Sequence, residues 1–135
     1  MYNLIRHYYS MKLSINQLLK RGVISHKAGS LKEAERLYRS ILQIQPIHPE
    51  ANHNLGVLMV ANNKLLEALT LFKVALEANS KIEQFWLSFI NLLIKVNDFK
   101  AAEEAILKGK KCGLTKKNVD MLNQQILLLR NSQYP

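Results

Sequence analysis

Two histidines and a glutamate fall within "HPEANH", His48 to His53. A histidine–carboxylate group is where a zinc site or an acid–base pair would begin. The spacing argues against both, because imidazoles on one helical face share a metal when they are one turn apart, and here Pro49 intervenes and the separation is five residues. They read as loop and surface histidines. The single cysteine, Cys112, precedes Gly113 at an expected helix end, and a half-buried structural thiol is the simpler reading than a reactive one. The five glycines are scattered singly, so no loop is built to cradle a phosphate. The expectation is a protein without catalytic residues, metal or cofactor.

The whole chain supports that expectation. Its 135 residues suit one domain that buries about two-thirds of the surface exposed when unfolded. One cysteine excludes an internal disulfide and fits a reducing compartment. The longest uninterrupted apolar run near the C-terminus is Ile126 to Leu129, far short of the roughly 18 to 20 residues that span a bilayer. A soluble, cytoplasmic protein is expected. No acidic residue precedes Glu33, as in a transit peptide, but helix-forming sequence begins near Ser14 and leaves little room for a removable segment. The formal charge of +9 is uneven: residues 1–39 carry an excess of +6, 40–95 none, and 96–135 an excess of +3. Basic ends around a neutral middle suit acidic partners without forming a continuous nucleic-acid stripe.

The elements that position these residues repeat. Ala34, Ala68 and Ala102 are 34 apart, as are Tyr38, Phe72 and Ile106, and Gly22 precedes Gly56 by the same step. With "GSLKEAERLY", "NLGVL" and Pro46, this pattern resembles the tetratricopeptide-repeat family, whose unit is two helices in 34 residues. The resemblance covers about three-quarters of the chain and implies an all-α solenoid of three helix-turn-helix repeats, at 15–48, 49–82 and 83–116, closed by a capping helix at about 116–131. Residues 1–14 form an N-terminal extension.

Local signals agree. The expected helices are 15–28, 31–45, 49–62, 65–79, 81–96, 98–112 and 116–131. Ser14 with Gln17 and Ser30 with Glu33 have capping-box spacing, and Pro49 suits a first turn. Gly22 and Gly56 stand mid-helix, where glycine costs roughly 1 kcal/mol relative to alanine. They are expected to face Ala34 and Ala68 across each hairpin, where a side chain would force the helices apart. Ile90 replaces the glycine in repeat three, so that pair should pack less tightly, with Trp86, Phe99 and Ala102 keeping their places. Val119, Leu122, Ile126 and Leu129 make one face of the last helix, as a cap requires.

The resemblance implies that the first helix of each pair lines a concave groove. Its lining would be Asn16, Leu19, Val23 and His26; then His53, Asn54, Val57 and Val60; then Leu87, Ser88, Asn91 and Ile94. Asn54 and Asn91 would hold a peptide backbone while apolar side chains fill the gaps, although Leu19 and Val57 suit the core equally. Asn54 has no helix-propensity advantage over alanine, so stability alone does not explain it. The family members that clamp chaperone C-termini use Lys, Asn, Asn, Lys and Arg, where this chain has Leu19, Val23, Asn54, Gln84 and Ser88. Only Asn54 matches, so the charge-assisted grip is absent.

The leading expectation is therefore a protein-interaction scaffold. A second reading, nonspecific RNA or DNA binding, would use the basic ends with Tyr8, Tyr9 and Tyr38 as stacking platforms. A third follows from similarity to tetratricopeptide segments that open larger bacterial glycosyl-, sulfo- or methyltransferases, and implies an accessory recruiting module.

Overall fold

The computed structural model describes residues 2–133. They form seven helices and no strand: α1 (Tyr2–Lys27), α2 (Leu31–Ile44), α3 (Pro49–Ala61), α4 (Leu65–Ala78), α5 (Glu83–Lys95), α6 (Phe99–Cys112) and α7 (Lys116–Gln133). Each helix packs on the next. The result is an all-α solenoid of three hairpins and a closing helix.

Each hairpin turns in the same way. Gly29, Asn63 and Asn97, 34 residues apart, have φ of 81°, 59° and 62°, the left-handed conformation that glycine and asparagine adopt most readily. The next N–H of each turn returns to the helix: Ser30 to Ser25 O at 2.9 Å, Lys64 to Met59 O at 2.8 Å, and Asp98 to Leu93 O at 2.9 Å. These six-to-one bonds satisfy carbonyls that a helix end would otherwise leave unpaired.

The helix starts depart from expectation. α1 runs unbroken through Ser14, so Ser14 caps nothing. Ser30 is the N-cap residue of α2 but makes no side-chain cap bond, and the Glu33 carboxylate is held by Arg36 at 2.6 Å rather than turning back to the Ser30 N–H. Working caps occur at His48, whose Nδ1 accepts from Ala51 N at 3.1 Å, and at Asp98, whose carboxylate accepts from Ala101 N at 3.1 Å.

The glycines face rings, not alanines. A Cβ at Gly22 would lie 2.6 Å from Tyr38 Cε1, and one at Gly56 would collide with the Phe72 ring. Ala34 and Ala68 are fully buried, one turn before those rings. In the third hairpin Ile90 and Ile106 occupy the glycine and ring positions, both buried in one cluster, and α5 meets α6 less extensively than α3 meets α4.

Two apolar clusters make up the core, one around the first two hairpins and one around α5, α6 and α7, with Leu69 and Phe89 packed against both. Val119, Leu122 and Ile126 seat α7, while Leu129 is partly exposed. Glu83 at the start of α5 ties α7 down, accepting from Thr115 N at 2.9 Å and from Asn118 Nδ2. Arg130 pairs with Glu103 at 2.5 Å and lies over the Phe99 ring. Among the described residues no helix is long and apolar enough to cross a membrane.

Candidate binding groove

The face made by α1, α3 and α5 holds two wells. One, of about 280 Å³, is lined by Val23, His26, Lys27, Tyr38 and Asn54. The other, of about 260 Å³, is lined by Val57, Val60, Phe72, Ser88, Asn91, Leu92 and Lys95. The helical period explains the grouping, since residues three or four apart share a face: Val23 with His26 and Lys27, Asn54 with Val57, and Ser88 with Asn91 and Lys95. No carboxylate lines either well. Phe72 reaches the second well from α4 through the gap above Gly56, so the bare glycine shapes this surface as well as the hairpin.

A polar chain links the wells. Asn54 Oδ1 can only accept, so His53 Nδ1, 3.2 Å away, donates to it. His53 Nε2 is then free to accept from the Ser88 hydroxyl at 2.8 Å, and Gln84 donates to the same oxygen at 3.2 Å. On the other side, the Tyr38 hydroxyl meets His26 Nδ1 at 3.4 Å. Burial pushes the Tyr38 phenol up, and its hydrogen bond with Asn54 offsets part of this.

His53 is not the surface histidine its neighbours suggest. It is 8% exposed and its ring stacks on Phe85 at 4.7 Å and lies near Phe72 at 5.6 Å. Burial holds its pKa below the ordinary 6.5, against the opposing pull of the Asn54 hydrogen bond and the Glu50 charge. The neutral imidazole bridges repeats two and three. Among the described residues no group of three His, Cys, Asp or Glu is placed to hold a metal.

The other expected lining residues divide. Asn16 is exposed on α1, outside both wells, and Leu19 packs against the first core cluster. Leu87 packs against the second cluster, and Ile94 is 2% exposed within it. Ile94 therefore lies in the core and lines no surface, because its neighbours on α5 already fill the groove side. Tyr38 is fully buried and offers no face on which a base could stack. Phe72, Tyr38 and Lys95 border the wells without having been expected there. Tyr38 and Phe72 come from second helices, and only the Gly22 and Gly56 spacing hinted at their reach.

Comparison with known proteins agrees with this architecture. The tetratricopeptide repeat model matches residues 25–83. Human tetratricopeptide repeat protein 7B is 28% identical over 95 residues, which are 70% of this chain but 11% of that protein's length. The TPR2B domain of yeast Sti1, solved in complex with pHsp70, superposes with a TM-score of 0.77 at 13% identity, covering 87% of this chain and 98% of that one. A Thermobaculum terrenum O-GlcNAc transferase mutant superposes with a TM-score of 0.68 at 22% identity, covering 75% of this chain and 19% of that one. Residues 25–83 thus match the tetratricopeptide repeat, and the fold of the whole chain is that of the tetratricopeptide-repeat domains it superposes on.

Proposed function

We propose that the chain is a non-catalytic scaffold that holds a peptide or partner domain along the face of α1, α3 and α5. The carrying observation is the pair of adjacent wells on that face, apolar at the centre, rimmed by amides and lysines, and free of carboxylates. Val57, Val60, Val23 and Asn91 are the contact residues. The likeness to the Sti1 domain supports peptide binding as the mode, but the ligand differs from a clamped chaperone tail, because Leu19, Val23, Gln84 and Ser88 stand where the clamp needs cations and an amide. Asn54 and His53 serve the groove mainly by bracing it, since they already bond each other.

The test is Val57→Asp, which places a charge in the second well at a half-buried position beside the first core cluster, so stability is measured alongside binding. Binding to the partner recovered from the native source should fall about tenfold or more, with helicity by circular dichroism unchanged. Undiminished binding would remove the groove from the interface.

A finer reading is an accessory recruiting module in a bacterial cytoplasm, opening a larger transferase. The likeness to the Thermobaculum terrenum enzyme, of which this chain spans 19%, favours it. The neighbouring reading frame tests it directly. Nucleic-acid binding loses a stacking residue with Tyr38 buried, and a steep salt slope with added RNA would be its sign.

A further inference from the structure

Set at their period of 34, the three repeats sort the first-helix face into rows: Lys20, Asn54 and Ser88 are equivalent, as are Val23, Val57 and Asn91, and so are Lys27, Ala61 and Lys95. The last row ends α1, α3 and α5. Lys27 borders the first well and Lys95 the second, with the exposed Ala61 between them. A helix end favours a cation, yet α3 ends without one, so the hairpin does not require it. Among the described residues neither Lys27 nor Lys95 forms an ion pair.

The carboxylates nearest to these lysines are engaged or distant. Asp98, the closest to Lys95 in sequence, caps α6 by accepting from Ala101 N at 3.1 Å and borders a different cleft, between α4 and α6. Glu33 is held by Arg36. Glu83, at the start of α5, is turned to Thr115 and Asn118. Glu50 stands in the first turn of α3, about 16 Å along the helix from Ala61, which exceeds the screening length of about 8 Å at physiological salt. The groove is positive where its helices end and negative only where α3 begins.

We propose, resting on the groove function above, that the occupant is an extended acidic segment of a partner protein, with one carboxylate side chain at Lys27, another at Lys95, and apolar side chains between them over Val57 and Val60. Charge complementarity selects the acids, and the valines select a peptide over a chain of phosphates. The spacing follows from the stack. From α1 to α5 is two helix spacings, about 20 Å, and an extended chain advances about 3.3 Å per residue while returning to the same face every second residue. The two acids are therefore about six positions apart, with the second and fourth residues after the first acid facing the valines. Both anions are side chains rather than a chain terminus, since the positions that would clamp a C-terminus hold Leu19, Val23, Asn54, Gln84 and Ser88.

The probe is a displayed library of random heptapeptides, embedded in a loop so that no terminus is free and selected on the intact chain. Selected sequences should carry Asp or Glu at the first and seventh positions and Val, Ile or Leu at the third or fifth. Lys27→Gln and Lys95→Gln, both at exposed positions, should each weaken binding about threefold and together about tenfold, with unshifted thermal melts. Lys27→Glu combined with Lys95→Glu should turn the selection toward Lys and Arg. No enrichment, acids at other spacings, or undiminished binding by the double Gln variant would overturn the proposal. So would oligouridylate binding that is lost in the same double variant, because it would assign the lysines to phosphate. Val57→Asp distinguishes the occupant from the groove: peptides that it releases but that ignore both lysines leave the groove without its acidic occupant, and peptides that it does not release remove both.

Discussion

In α1–α2 and α3–α4 an aromatic ring lies across a bare glycine, Tyr38 over Gly22 and Phe72 over Gly56; in α5–α6 the same two positions are Ile90 and Ile106, both buried. The large–small pair has become a medium–medium pair, which fills a similar volume with a different shape. The ring can extend through the hairpin to the groove side, and in the second hairpin it does, as part of a well. Two isoleucines cannot. The helix-breaking residue in the third hairpin moves to Gly109, where a Cβ would come within 3.3 Å of Trp86 and 3.2 Å of Leu114. A second exchange accompanies it. Asn52 donates to Pro46 O at 3.0 Å, and Trp86, one repeat on, donates to Ser80 O at 2.8 Å. Those carbonyls are also one repeat apart, so an amide and an indole perform the same tether. The repeat preserves the contact and varies the residue that makes it.

The largest expected effect is at the third hairpin's anchor. Trp86→Ala removes a side chain that is 7% exposed together with its tether, and should cost roughly 3 to 5 kcal/mol. Urea denaturation should then resolve early loss of α5–α7 from the first two hairpins. A single unshifted transition would mean that the third hairpin does not depend on the indole.

Next comes the glycine–ring contact. Gly56→Ala should cost about 1 to 3 kcal/mol by pushing on Phe72, even though alanine favours the helix by roughly 1 kcal/mol. Gly56→Ala with Phe72→Leu should be less damaging than the two single losses added together, because the smaller side chain accepts the methyl. Strict additivity in thermal melts would break the comparison with Ile90 and Ile106.

His53 gives a pH test. Its folded pKa lies below the unfolded value of 6.5, so the unfolded chain binds the proton more readily. The stability it contributes is fully present above 6.5 and is lost as pH falls through the lowered folded value. The melting temperature should drop from about pH 7 to about pH 5, and His53→Phe should flatten that dependence. An unchanged slope in the variant would assign the pH effect elsewhere.

The smallest effect is expected at Asn54. Alanine there leaves the His53 Nδ1–H without its acceptor, a loss of about 1 kcal/mol, where helix propensity alone predicts none. Guanidinium titration distinguishes the two. Loss of partner binding at unchanged stability would instead make Asn54 a direct contact.

Much of this was legible in the residues. The period of 34, the helix boundaries after Lys27 and the closing role of Val119, Leu122 and Ile126 follow from apolar spacing and turn residues. Spacing identifies the close helices but not which turn of one meets which turn of the other, so it puts Gly56 opposite Ala68 where the structure has the Phe72 ring, one turn on. The burial of His53 is not legible in its own helix, which gives no sign of Phe85 arriving from the next repeat. The early start of α1 is hidden because Ser14 imitates a cap while no residue before it forbids a helix.

Local chemistry alone therefore settled the hairpins: apolar residues three and four apart make each helix amphipathic, and Gly29, Asn63 and Asn97 accept the left-handed turn that folds it back. Those preferences act within a few residues and survive in any context. Tertiary structure decided which valine faced solvent and which isoleucine was buried, and that a histidine would be a neutral brace. Such outcomes depend on contacts between repeats, where Arg39 meets Glu67 at 2.8 Å and His53 meets Ser88 at 2.8 Å, and burial is a property of the assembled stack rather than of any one helix.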